Sequence, residues 1–246
     1  GYFTNKNAPL IDRAVTGLYT PGSVVKPFVA LAGLEEGVIT PEKSISSSGS
    51  ISIPNPYNSN LPSIFRDWKA HGWTDMREAL AVSSDVYFYA LGGGYEDQPG
   101  LGIGAIEEWM RRFGFGSPSG VVLEEEASGV VPNPEWKAET FDGERWFLGN
   151  TYHTAIGQYG FQVTTLQLAR AVAALANGGV LRTPTIVKGA LGASFPLPVE
   201  EENLRVVREG MRKAVLTGTA AAINIAGFEA AGKTGTAEVG VRKEFI

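Results

Sequence analysis

The sequence predicts an α+β fold. Apolar residues recur at helical spacing in several segments, and glycines close most of them. One late segment, Ala230 to Val239, is built from small and β-branched residues and reads as a strand. The stretch 40–63 is rich in Ser, Pro, Gly and Asn and reads as loop and short strand, and 116–163 reads as loop-rich.

Taken in order, residues 1–22 are loop-like, with Tyr19-Thr20-Pro21-Gly22 at their end. A helix is expected from Ser23 to Gly37, apolar on nearly every side and therefore buried. Thr74 is the expected N-cap of a second helix carrying Met76, Leu80 and Val82, which ends before Ser83. A third helix spans Val86 to Leu91 and stops at Gly92-Gly93-Gly94. Ile103, Ile106, Trp109, Met110 and Phe113 keep helical spacing up to Gly114. Thr164 or Thr165 caps Leu166 to Ala176, and Leu204, Val207, Met211, Ala214 and Val215 mark a further helix. No internal repeat and no linker divides residues 1–246, so a single domain is expected.

Bulk properties exclude several functions. The chain has 246 residues and a net charge of −5, with no basic run, which argues against nucleic-acid binding. Absence of cysteine removes disulfides and thiolate metal sites. His71 and His153 are the only histidines and read as structural or surface residues, so no metal or other cofactor is expected. No apolar stretch reaches the ~20 residues of a membrane helix.

Three short motifs carry the chemistry: Ser23-Val24-Val25-Lys26, Ser83-Ser84-Asp85 and Lys233-Thr234-Gly235-Thr236. A serine hydroxyl needs a base to attack anything at neutral pH. Helix positions i and i+3 share a face, so Lys26 can bring an amine to Ser23. That lysine sits in an otherwise apolar helix, where an unpaired charge is costly. Burial and a nearby cation, Lys233 being the candidate, would both lower its pKa. Ser83 can relay a proton between Lys26 and a leaving amine. On the expected strand, alternation puts Lys233 with Gly235 on one face and Thr234 with Thr236 on the other. Gly235 would leave room for a substrate close to the backbone, and an edge strand can bind an extended peptide. Read singly, the same residues are a capping serine, a turn serine and a solvated edge lysine.

The set as a whole resembles the transpeptidase domain of class B penicillin-binding proteins, elongation type (penicillin-binding protein 2). Further segments share the likeness: Asp67-Trp68-Lys69 with His71-Gly72, Arg112 to Gly116, Pro132-Asn133-Pro134-Glu135-Trp136-Lys137, and Ala155-Ile156-Gly157-Gln158. The resemblance implies an antiparallel sheet flanked by helices, the fold shared with serine β-lactamases. It implies Ser23 as the nucleophile acylated by D-Ala-D-Ala stem peptides of peptidoglycan, Lys26 as base and Ser83 as relay. Lys233, Thr234, Gly235 and Thr236, with Asp85, would bind substrate. The amides of Ser23 and Thr236 would form the oxyanion hole, and β-lactams would trap Ser23. A glycan polymerase of the elongation machinery is the implied partner, and the outer face of the bacterial cytoplasmic membrane the implied location. A membrane anchor, an N-terminal non-catalytic domain and a hairpin with a helix after the third motif are also implied. The sequence shows none of them, so a partial domain that is unstable in isolation is expected.

The second motif ends in Asp85 where most relatives carry Asn, and Tyr159 interrupts the usual Gly-Gln-Gly run. Two other readings share the motifs. A class A β-lactamase also needs a Glu-x-x-Leu-Asn segment, and Glu202-Asn203-Leu204 has the wrong order. A β-lactam sensor domain would lack Glu135-Trp136-Lys137.

Overall fold

Burial places the first helix at the centre of the molecule. The computed structural model describes residues 5–6, 10–58, 60–122 and 125–237. Helix α1, Lys26–Glu35, buries nine of its ten residues, Lys26 among them. Having no polar face, it cannot lie at the surface. It packs against α3 (Asp85–Gly93), α4 (Gly102–Arg112) and α8 (Glu201–Leu216). Glu36 caps it and Gly37, at φ +64°, ends it. The start differs from expectation: Ser23 lies in one 3-10 turn, Gly22–Val25, and the α-helix begins at Lys26. Pro27 has no amide to offer the first turn, where none is needed.

Helix α2, Met76–Val82, is capped by Asp75, whose carboxylate accepts from Glu78 N at 2.8 Å. Thr74 is not the cap; it is buried in β4 (Gly72–Thr74), which pairs antiparallel with β1 (Ile45–Ser47). The short strands expected within 40–63 also include β2 (Ser50–Pro54), which pairs with β3 (Pro62–Arg66). A third pair joins β5 (Val180–Arg182) to β6 (Ser194–Pro196). Among the described residues the sheets are therefore three antiparallel pairs, mixed with helices, in place of one larger sheet.

Two helices occupy the stretch expected to be loop. Asn133 caps α5 (Pro134–Thr140) through Trp136 N at 2.7 Å, with Pro134 in the first turn. Helix α6, Leu148–Ala155, is closed at its start by Asn150 Oδ1, which accepts from Phe147 N at 2.8 Å. Thr164 caps α7 (Thr165–Ala176) in a capping box with Gln167. The predicted stripe Leu204, Val207, Met211, Ala214 and Val215 is the buried face of α8. Close helix contacts rest on glycine: a Cβ on Gly33 would meet Leu91, and one on Gly210 would meet Leu80.

The expected strand at Ala230 to Val239 is the main correction. Residues 230–237 join no ladder among the described residues, and Val239 lies outside them. A strand exists only through its partner's hydrogen bonds. What holds this segment is Gly232 N donating to Met211 O at 3.1 Å, Arg212 Nη1 donating to Ala230 O at 2.7 Å, and its packing on the serine turn.

Candidate active site

The serine turn is built from close backbone contacts. Gly22 has φ +57° and donates its amide to Gly157 O at 3.0 Å. A Cβ on Gly22 would collide with Thr236 O, and one on Gly157, at φ +77°, with Gly22 O. Gly235 closes the third side, since its Cβ would meet Val24 at 2.7 Å and Pro21 O at 3.1 Å. Its missing side chain thus makes room for the serine turn, a packing reason that the expected substrate contact does not supply. Gly157→Ala is expected to lower stability by about 1–3 kcal/mol, because alanine tolerates neither that φ nor that contact. Thermal unfolding checks it; an unchanged midpoint would refute the close packing.

Ser83 ends α2 in the left-handed region, at φ 59° and ψ 40°. Few non-glycine residues accept this conformation, and it is often found at functional turns. It aims both the carbonyl and the hydroxyl of Ser83 at Lys26. Lys26 Nζ donates to Ser83 O at 2.8 Å, to Ser83 Oγ at 3.3 Å and to Asp85 Oδ1 at 2.6 Å. Lys233 Nζ donates to the same Ser83 Oγ at 2.7 Å and to Thr234 O at 3.1 Å. One hydroxyl therefore bridges two amines. Thr234 Oγ1 lies 2.7 Å from Thr219 Oγ1, a partner that sequence reasoning missed.

Burial is the main force on both lysines. It pushes the Lys26 amine below its ordinary value, against the charge and hydrogen bond of Asp85 and the charge of Asp67. Burial, and then the Lys26 charge, push Lys233 down to about 7, against the pull of Asp85. The cation expected to depress Lys26 thus acts mainly the other way round. Asp85 is the counter-ion of Lys26 and retains 19% side-chain exposure toward the cleft.

Ser23, Ser83, Asp85, Thr234 and Thr236 line one open cleft of about 1170 Å³. Ser23 is half-buried, and among the described residues its hydroxyl makes no hydrogen bond. The structure thus joins Lys26, Ser83, Asp85 and Lys233 by direct bonds, and sets Ser23 and the two threonines on the same cavity. The same cleft is also lined by Trp68, Tyr89, His153 and Tyr159, none of them singled out from the sequence as a site residue. Tyr159, at φ 60°, is gripped edge-on by Trp136 and Trp146, at ring separations of 5.9 and 5.6 Å. His71 is buried beside Asp67, whereas His153 faces the cleft. Among the described residues no group of His, Asp and Glu is arranged to hold a metal.

Residues 2–244 match the family of the penicillin-binding protein transpeptidase domain. The peptidoglycan D,D-transpeptidase MrdA of Acinetobacter baumannii is 38% identical over 96% of this chain and 35% of its own length. MrdA of Haemophilus influenzae is also 38% identical, over 96% of this chain and 37% of its own length. The chain therefore spans about a third of the length of these curated relatives. Penicillin-binding protein PBP2 of Helicobacter pylori, solved in complex with MreC, superposes with a TM-score of 0.84 at 33% identity, covering 97% of this chain and 43% of that one. PBP2 of Pseudomonas aeruginosa, solved in complex with WCK 5153, gives 0.82 at 35% identity, covering 96% and 54%. By sequence and by fold, the chain belongs to the penicillin-binding protein transpeptidase family, in the penicillin-binding protein 2 group.

Proposed function

We propose that this chain carries the acyl-transfer site of a peptidoglycan D,D-transpeptidase, with Ser23 as nucleophile. The observation that carries the reading is the Lys26–Ser83–Lys233 bridge beside Ser23 in one cleft. Two amines on one hydroxyl resist double protonation, so one of them is readily neutral.

The proposed cycle follows from that bridge. The terminal carboxylate of a stem peptide binds at Lys233, Thr234 and Thr236. Its charge favours the protonated form of Lys233. A proton then passes from Lys26 through Ser83 Oγ to Lys233, which leaves Lys26 neutral. Ser23 attacks the carbonyl carbon of the penultimate D-Ala and gives its proton to Lys26. The amides of Ser23 and Thr236 take the oxyanion. The C–N bond breaks, and Ser83 returns the proton to the departing D-Ala amine. An amine of a neighbouring stem then attacks the ester, forms the cross-link and releases Ser23 with its proton. A β-lactam follows the first half and leaves a stable ester.

Relatives suggest the setting. A PBP2 has been solved in complex with MreC, and a further similar structure is described as a peptidoglycan synthase complex that coordinates polymerization and crosslinking. We place this chain accordingly with a glycan polymerase at the outer face of the bacterial cytoplasmic membrane. Among the described residues no helix is long and apolar enough to cross a membrane.

A fluorescent penicillin, applied to the intact protein and mapped by mass spectrometry, tests the assignment. A long-lived adduct on Ser23 is expected. Rapid release of the label would mark a hydrolase instead, and no adduct would refute the reading. The pH dependence of labelling adds a second check. Acylation is expected to rise with pH through about 7, as the amine pair loses its second proton. Asp85 holds the proton on Lys26, so Asp85→Asn lowers that pKa and moves the acid limb to lower pH. An unmoved limb would remove Asp85 from the proton balance.

A further inference from the structure

Asp67 lies one residue beyond β3, outside all three motifs, and its side chain is fully buried. Oδ2 accepts from Ser84 Oγ at 2.7 Å, from Val86 N at 3.0 Å and from Ser47 Oγ at 3.1 Å. Oδ1 accepts from Trp68 N at 2.9 Å and lies 3.4 Å from His71 Nε2. A buried carboxylate is tolerated only with such saturation.

The geometry of these bonds is directed at the second motif. Ser84 caps α3 by accepting from Tyr87 N at 3.3 Å, while its own hydroxyl proton goes to Asp67. Val86 N, another free amide of the first turn, is taken directly by Asp67. Asp67 therefore completes the cap of α3 from a separate element, with a negative charge where the helix dipole favours one. Ser84 stands between Ser83 and Asp85, the two residues that hold Lys26. Ser83 is in a left-handed conformation that the surrounding structure must enforce.

We propose that Asp67 is a positioning residue for acylation, fixing the Ser83-Ser84-Asp85 turn and so the point where the two amines meet. The proposal rests on the acyl-enzyme reading above. A displacement of about 1 Å at such a point costs on the order of a hundredfold in rate. Charge gives the role a second signature. Lys26 is faced by Asp85 from α3, by Lys233 from the third motif, and by Asp67 with His71 beside it from the β3–β4 connection. Asp67 is among the carboxylates that favour the protonated form of Lys26.

The test compares penicillin acylation rates of the intact protein and two variants, each normalised to folded protein by circular dichroism. Asp67→Asn is expected to acylate about ten- to a hundredfold more slowly, with its acid limb moved to lower pH. Ser84→Ala keeps the carboxylate, so it is expected to slow acylation with the acid limb in place. An Asp67→Asn protein that acylates at the unaltered rate overturns the proposal. So does a slower variant whose pH profile has not moved, since a purely structural carboxylate would behave that way. If Asp67→Asn does not fold, Ser84→Ala decides, and an unaltered rate there overturns the proposal. Failure of the unaltered protein to label at Ser23 would instead bring down the acyl-enzyme reading, and this proposal with it.

Discussion

Replacing Ser23 by alanine is expected to abolish covalent labelling by penicillin and stem-peptide transfer, a loss of roughly 10⁴-fold or more. No neighbour can substitute. Ser83 Oγ is engaged by both lysines, and Thr234 Oγ1 is paired with Thr219. Ser83 borders the same cleft but is buried, whereas Ser23 is only half-buried there. Stability should barely change, within about 0.5 kcal/mol, because the Ser23 hydroxyl leaves no hydrogen-bond partner behind. Mass spectrometry of the adduct and a thermal unfolding curve make the two measurements. A labelled alanine variant, with the adduct on Ser83 or Thr234, would move the nucleophile.

The motifs stood out because the chemistry proposed for them calls for particular residue types at short spacing. A serine and a lysine three positions apart constrain one turn, and no tertiary knowledge is needed to pair them. The large helices were legible for a similar reason: α1 lacks a polar face and α8 shows a clean stripe. What escaped depends on contacts distant in sequence. Asp67 belongs to a segment quoted for family likeness, yet its partners Ser84 and Val86 lie 17 and 19 residues away. Thr219 meets Thr234 only because α8 returns under the third motif. Helices α5 and α6 are short, and glycines and aromatics in the segment mask their period. The Asn133-Pro134 start of α5 was a signal that could have been read. The strand at 230–237 failed for another reason, since composition states a preference and pairing needs a partner.

The Asp85 carboxylate fits this arrangement. An Asn at this position would offer Lys26 a neutral acceptor. Here it offers a carboxylate at 2.6 Å, which favours the charged amine and opposes the desolvation that depresses it. Asp85 thus opposes the loss of the Lys26 proton, while Lys233, pushed to about 7, is ready to give up or take one. In the proposed cycle the base becomes available when a substrate carboxylate stabilises the charge on Lys233, which would couple binding to activation.

Lys26→Met should separate that chemistry from the fold. Methionine matches the lysine stem inside α1 and removes the amine. Acylation is expected to fall by roughly a thousandfold, the usual worth of a positioned base. Stability should change far less. Breaking a fully buried ion pair typically costs about 3–5 kcal/mol, because the surviving charge is stranded. Asp85 is not stranded, since it borders the open cleft and water can reach it. The variant also escapes the desolvation that opposes a charged lysine at a site with 0% exposure. Lys233 should respond as well. Its amine loses the repulsion of the Lys26 charge and keeps the pull of Asp85, so its pKa rises from about 7. Residual labelling should therefore need a higher pH than in the unaltered protein. Acylation kinetics across pH, set beside thermal unfolding of the same samples, read all three effects. If acylation survives within tenfold, Lys233 acting through Ser83 is the base, and Lys26 serves only to place the hydroxyl between them.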